Sequence, residues 1–379
     1  MNITCLKIVS FGLLIAIISC KREAQPAVLK LASAKITYAK GFEIFEEKGY
    51  KKLIIKSAYQ NASKVATYHL YKKMPITALA SPQFHRIQVP IKNMVVTSTT
   101  HIPMVELLQS ENAIVGFPHG QYISSKRTRN LLDTGKIAEL GKEGSLNTEI
   151  LLDLQPDLVV GYSVTSPDKS LTTLHKAGIN VIYNGDWLEE TPLGKAEWIK
   201  FFGVLFDKEK QADSIFKTIE TNYINAKKSA LAGLQKPTVL SGAIMSKDIW
   251  NLPAGKSFVA QFLKDANLSY LWEDTKGKGS LSLSFESVFD KGSNADFWIA
   301  PGYFTSKKQL LESNELYAKF KAFQDDQIYT PTTKKGESGS VLYYELATTR
   351  PDLVLKDLIK ITNPALLPDY ELVFFEKMK

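Results

Sequence analysis

Cysteine is nearly missing from these 379 residues: Cys5 and Cys20 are the whole supply. Two thiols this close to the N-terminus cannot form a disulfide framework around a folded domain, and a Cys-based zinc site is excluded too. Nucleotide-phosphate signatures are also lacking. Pro253-Ala254-Gly255-Lys256-Ser257 has the end of a phosphate loop, but Trp250 stands where the first glycine is required. No strand leads into G-x-G-x-x-G, and no Ser/His/Asp constellation has a catalytic context. The formal charge is +8, from 47 Lys and Arg against 39 Asp and Glu. That balance favours anionic partners in general, but the lysines are dispersed and leave no nucleic-acid footprint.

The N-terminus sets the compartment. Lys7 gives a positive start, and Val9 to Ile18 gives an apolar run of secretory-signal length, too short to stay as a spanning helix. The run ends in Ile17-Ile18-Ser19-Cys20, which resembles a bacterial lipobox and implies cleavage before Cys20 and lipidation of its sulfur. Residues 1–19 then form a lipoprotein signal peptide, and Cys5 leaves with it. Only Cys20 remains, so no intramolecular disulfide is possible. Acyl chains contribute roughly 0.8 kcal/mol per buried methylene, so several of them anchor firmly where one does not. The expected location is the periplasm, lipid-anchored to a membrane, with inner and outer membranes both open. Export also argues against DNA as a ligand.

Residues 20–33 read as a tether, and about two domains of typical size follow. Residues 34–187 are expected to form an α/β lobe that begins with antiparallel strands. Ile36 and Tyr38, Leu53 to Ile55, and Val65 to Leu70 carry those strands, with a turn at Lys48-Gly49. From Val95 onward, short β-branched runs (Val95-Val96, Ile114-Val115, Leu158 to Val160, Val181 to Tyr183) alternate with helical segments. This texture implies a parallel sheet covered on both faces. Residues 188–236 hold no strand and read as a helical connector, with Thr191-Pro192 as a helix start and Asp207 capping a second segment. Residues 237–379 restart the α/β pattern with Val239-Leu240, Tyr270-Leu271, Phe297 to Ile299 and Ile328-Tyr329. A helix is expected over Gln309 to Phe323, and helix again closes the chain over 341–362.

The two halves repeat one pattern. Asn147-Thr148-Glu149, an apolar helix, Pro156-Asp157 and a strand in the first half correspond to Ser284-Phe285-Glu286, an apolar helix, Ala295-Asp296 and a strand in the second. Each half has a Glu in a first helical turn and an Asp just before a strand. Capping chemistry accounts for either Glu alone, because acidic side chains favour helix N-termini. Their recurrence at matching places points to a shared role.

Four stretches carry a resemblance to the substrate-binding proteins of ABC importers for ferric siderophores, haem and cobalamin. They are Glu139-Leu140-Gly141 through Tyr162, Leu188 to Trp198 with its Pro192-Leu193-Gly194-Lys195-Ala196-Glu197-Trp198, Trp250 to Leu271, and Thr349-Arg350-Pro351-Asp352-Leu353. The likeness runs from about Met94 to Phe374. It implies two Rossmann-like α/β lobes joined by a long helix, a ligand cleft between them, limited hinge motion, and a lipoprotein that hands a metal chelate to a permease dimer. It also implies that Glu149 and Glu286 dock the transporter. Two carboxylates held far apart on rigid lobes can register both permease halves.

Open α/β sheets hold ligands beyond the carboxyl ends of their strands. The candidate contacts are therefore Ser98, Thr99, Thr100 and His101, His119, Tyr162 and Trp187 in the first lobe, and Trp250 and Tyr303 in the second. The aromatic rings could stack on a flat macrocycle or a catecholate, or simply pack at a lobe edge. His101 and His119 could ligate a chelated metal axially or be surface and capping histidines. Arg127 and Arg129 pair with an anionic chelate or form a solvated helix face. No cofactor, catalytic residue or protein metal site is expected, and a monomer suffices. The alternative class is an exported two-lobe enzyme of glycosyltransferase type, which would need a phosphate-binding turn or a metal carboxylate motif that the chain does not show.

Overall fold

In this computed structural model, residues 35–60, 62, 64–73, 85–142, 145–233, 235–245 and 249–379 are described. The expected signal peptide, Cys20 and the expected 20–33 tether lie outside the described residues. The apolar runs of the first half form a five-stranded parallel sheet. Its spatial order is Val181–Tyr183, Leu158–Gly161, Met94–Val96, Ile114–Phe117 and Ala138–Glu139. Met94, Val95 and Val96 are all fully buried, as strands covered on both faces require. The helices that cover them begin at short polar caps. Ser125, Asn147 and Asp168 each accept a hydrogen bond from the amide three residues on, starting helices Lys126–Asp133, Thr148–Leu154 and Lys169–Lys176.

Two antiparallel strands fall where expected, at Tyr50–Ile55 and Ala66–Tyr71, but the first runs over Phe42–Glu47 and not through Ile36 and Tyr38, because Glu197 takes the amides of Thr37 to Ala39; His85–Gln88 adds a fourth strand parallel to the third. Gly49, at φ 91°, closes the first hairpin. Phe42, Ile44, Leu53 and Ile55 line its buried face, in the same core as Trp198, Phe201, Phe202 and Leu205 of the connector. The sheet is thus a cover for the connector.

The connector comprises helices Pro192–Ala196, Ile199–Leu205 and the long Glu209–Ala230. Thr191 caps the first by accepting from the Gly194 amide, with Pro192 at the first helical position, as expected. Asp207 does not cap the last. It takes a left-handed φ of 57° after the preceding helix, and Lys208 flanks the long helix with no side-chain cap.

The second lobe has a sheet ordered Ser269–Tyr270, Thr238–Ser241, Phe297–Ile299, Ile328–Thr330 and Glu376–Lys377, parallel except for the last strand. Three departures from the sequence reading stand out. Ile249–Pro253 pairs antiparallel with Ser280–Ser284 in a small separate sheet. The helix expected over Gln309 to Phe323 breaks into Lys307–Ser313, a 3-10 turn Glu315–Lys319 and Lys321–Gln324, because extended Asn314 restarts the chain and caps the next turn. The closing segment splits into Leu342–Leu346 and Pro351–Thr362, since Pro351 can begin a helix but not continue one.

The half-repeat is real in the fold. Asp157 accepts from the amides of Lys92 and Asn93 beside one strand, and Asp296 accepts from the Thr238 amide and hydroxyl at the start of another. Each carboxylate ties the beginning of its own strand to that of the sheet neighbour.

Candidate functional site

The loops after the parallel strands gather hydroxyls and rings. After Met94–Val96, the hydroxyls of Ser98 and Thr100 are 2.9 Å apart, and Thr100 Oγ1 donates to Asp186 Oδ2 at 3.3 Å. Asp186 follows another strand and is held by its amide donating to Asn184 Oδ1 at 2.8 Å. Burial pushes the Asp186 carboxyl up from its ordinary range, against the pull of Lys195. Ser98, Thr99, Thr100, His119, Tyr162 and Trp187 are all half-buried at these loops. The Nε1 of Trp187 and the Nδ2 of Asn184 are buried donors with no protein acceptor. His119 sits at φ 53° with its ring 5.4 Å from Tyr122.

Several large apolar side chains are left exposed at the same ends. Tyr122 and Val164 follow first-lobe strands. Tyr303, 71% exposed, and Met245 follow second-lobe strands, and Tyr303 lies 6.4 Å from exposed Tyr344. Tyr122, Val164, Met245 and Tyr344 were not singled out from sequence. The loops after Phe117 and Gly161 contain the first two, and Met245 follows the strand Ala243–Ile244, whereas Tyr344 lies in helix Leu342–Leu346 and has no such signal.

Two sequence candidates are corrected. His101 is fully buried against Phe202, with both ring nitrogens unpartnered, and burial pushes its pKa down to about 3. It is a neutral core residue with no access to a ligand, because the first turn of helix His101–Leu107 rotates it inward. Trp250 is fully buried too, stacked 5.0 Å from Trp298 within the second-lobe core. Arg127 pairs with Glu111, and Arg129 pairs with Asp133 and donates to the Gly120 carbonyl, so neither guanidinium is free.

One set of contacts fixes the lobes to each other, and a second fixes the connector to the start of the first lobe. On one side, Glu345, 1% exposed, accepts from the amides of Ser124 at 2.6 Å and Ser125 at 3.1 Å. Ser338 Oγ donates to the Ile123 carbonyl at 2.7 Å, and Lys126 pairs with Glu337. Burial pushes the Glu345 carboxyl up to about 7, with the nearby Glu106 adding to the shift and the two amides opposing it. On the other side, the Leu188 to Trp198 stretch grips the chain that precedes the first strand. Fully buried Glu197 accepts from the amides of Thr37, Tyr38 and Ala39, and Glu189 accepts from those of Lys40 and Gly41 and from Trp198 Nε1. Tyr38 packs against the cores of both halves.

Glu149 and Glu286 are exposed in the first turns of helices capped by Asn147 and Ser284. Their placement is equivalent in the two lobes. Among the described residues, no group of three or more His, Cys, Asp or Glu side chains could hold a metal ion, and no helix is long and apolar enough to cross a membrane.

Two α/β lobes built on parallel sheets and joined by a helical connector define the two-lobe architecture of periplasmic binding proteins. The chain belongs to the periplasmic binding protein family, whose model matches residues 94–334. It is 26% identical over 304 residues to an uncharacterized lipoprotein of Methanocaldococcus jannaschii, covering 78% of this chain and 70% of that protein. Its fold is similar to that of a periplasmic heme-binding protein from Pseudomonas aeruginosa (17% identity, 76% of this chain and 98% of that one, TM-score 0.56). It is likewise similar to the triscatecholate siderophore-binding protein of Bacillus subtilis, solved with ferri-bacillibactin (18%, 72% and 94%, TM-score 0.53).

Proposed function

We propose that the protein captures an iron chelate, siderophore or haem, or a cobalamin, and delivers it to an ABC importer. The observation that carries this reading is the set of exposed and half-buried rings at the carboxyl ends of the strands, Tyr122, Tyr162 and Trp187 in the first lobe and Tyr303, with its neighbour Tyr344, in the second. Aromatic faces set among a few hydroxyls suit a large, flat or ring-bearing ligand. The neighbours of known ligand, one for heme and one for a triscatecholate siderophore, support the same class. Glu149 and Glu286 are the proposed docking pair for the two permease subunits, and Cys20 the proposed lipid anchor. The family is one of substrate-binding proteins.

Titration of protein lacking residues 1–20 with haem, cobalamin and ferric siderophores tests the reading. Four of the five tryptophans, Trp198, Trp250, Trp272 and Trp298, are buried and keep their emission in a Trp187→Phe variant, so the affinity of that variant is read from them. Saturable quenching in wild type, with weaker affinity in Trp187→Phe, is expected. No saturable binding of any of the three ligand types would refute the proposal.

A further inference from the structure

Lys195 lies in the connector helix Pro192–Ala196 and is only 5% exposed. Its Nζ donates to the backbone carbonyls of Asp186 and Trp187, each at 3.2 Å, and sits 4.3 Å from the centroid of the Phe258 ring. An ammonium has three N–H donors and needs an anion when taken out of water. Among the described residues, no carboxylate stands within ion-pair distance of it. Asp186 and Glu189 act on it only from further away. Both have other partners: Thr100 donates to the Asp186 carboxylate, and Gly41 and Trp198 donate to that of Glu189. Desolvation accordingly holds the Lys195 pKa below its ordinary value.

Beside this lysine is a cavity of about 110 Å³, walled by Phe258, Phe262, Tyr343, Tyr344 and Ala347. It has room for roughly three or four waters at about 30 Å³ each. Its wall residue Tyr344 faces Tyr303 on the ligand loops. Aromatic walls around a buried cation without a direct counter-charge make a receptor for one small negative group.

We propose that the cavity beside Lys195 is a subsite for a single carboxylate-sized anion. Two sources share this chemistry: a free small carboxylate, or a carboxylate arm of the ligand held by the lobes. The second source rests on the chelate-binding reading above, whereas the first does not.

The test is thermal denaturation of the chain lacking residues 1–20 in acetate and in its neutral isostere acetamide, with ionic strength held by a bulky sulfonate buffer. Acetate should raise the melting temperature and acetamide should not. The acetate effect should vanish in Lys195→Met, which removes the charge, and in Ala347→Leu, which fills the cavity and keeps the charge. A second arm compares ferric citrate with a neutral ferric trihydroxamate. If the anion is an arm of the cleft ligand, the ratio of their affinities should fall at least tenfold in Ala347→Leu. If it is a free anion, acetate stabilises while that ratio stays constant. Equal stabilisation by acetate in wild type and both variants, or none in wild type together with an unchanged affinity ratio, overturns the subsite. Failure of every chelate to bind, with the acetate effect intact, would instead count only against the chelate reading.

Discussion

Glu345 couples the contact between the lobes to pH. Its carboxyl is buried where it accepts from Ser124 and Ser125, near Glu106, and titrates at about 7 against an ordinary 4.5. Because the folded-state value is the higher one, folding takes up a proton. The stabilisation is fully present below pH 4.5 and is lost as pH rises through 7. A shift of this size corresponds to about 3 kcal/mol, at roughly 1.4 kcal/mol per unit. Glu345→Gln keeps one acceptor for the two amides and cannot titrate. The melting temperature of wild type minus that of the variant should therefore fall between pH 5 and pH 8 by roughly 5 °C, at about 2 °C per kcal/mol for a chain of this size. Most of that fall should come between pH 5 and pH 7, with the difference levelling off above pH 7. Differential scanning calorimetry at half-unit intervals measures it. A difference that stays constant across that range would refute the idea that Glu345 carries a buried, titrating charge between the lobes.

Other consequences follow from the same contacts. Glu197→Ala strands the amides of Thr37, Tyr38 and Ala39 and removes the buried carboxylate beside Lys200, so a loss of about 3–5 kcal/mol is expected in denaturant titrations. A loss below about 1 kcal/mol would mean that water replaces the carboxylate at little cost. Replacing both Glu149 and Glu286 with Ala should leave ligand affinity intact and abolish uptake by a reconstituted transporter. Wild-type transport by that double variant would return both residues to helix-end charges. Cys20→Ala should give a soluble or unprocessed protein on cell fractionation, and a processed, acylated form in the membrane fraction would disprove the anchor.

What the sequence reveals depends on how far apart the interacting residues are. The parallel strands were legible because burial on both faces demands unbroken runs such as Met94 to Val96 and Phe297 to Ile299. Thr191-Pro192 was legible because capping is decided within one turn. The side-chain directions of His101 and Trp250 were not. In Ile249-Trp250-Asn251-Leu252 the alternation is plain, but a one-residue change of register would turn Trp250 outward and Ile249 inward. Only pairing with Ser280–Ser284, some thirty residues away, settles that phase. The contact of Glu345 with Ser124, 221 residues apart, leaves no local trace at all.

The Leu188 to Trp198 stretch falls between these extremes. Its composition marked it as distinctive, but its chemical reason lies in a segment about 150 residues earlier. Glu189 and Glu197 are spaced to receive consecutive amides from Lys40-Gly41 and Thr37 to Ala39, and Gly194 leaves room for the Tyr38 carbonyl, which a Cβ there would meet at 3.3 Å. The partners of these carboxylates are backbone N–H groups, which every non-proline residue carries. No pairing of residue types could therefore have revealed the contact. It becomes visible only once the chain before the first strand is seen lying across the helices that join the two lobes.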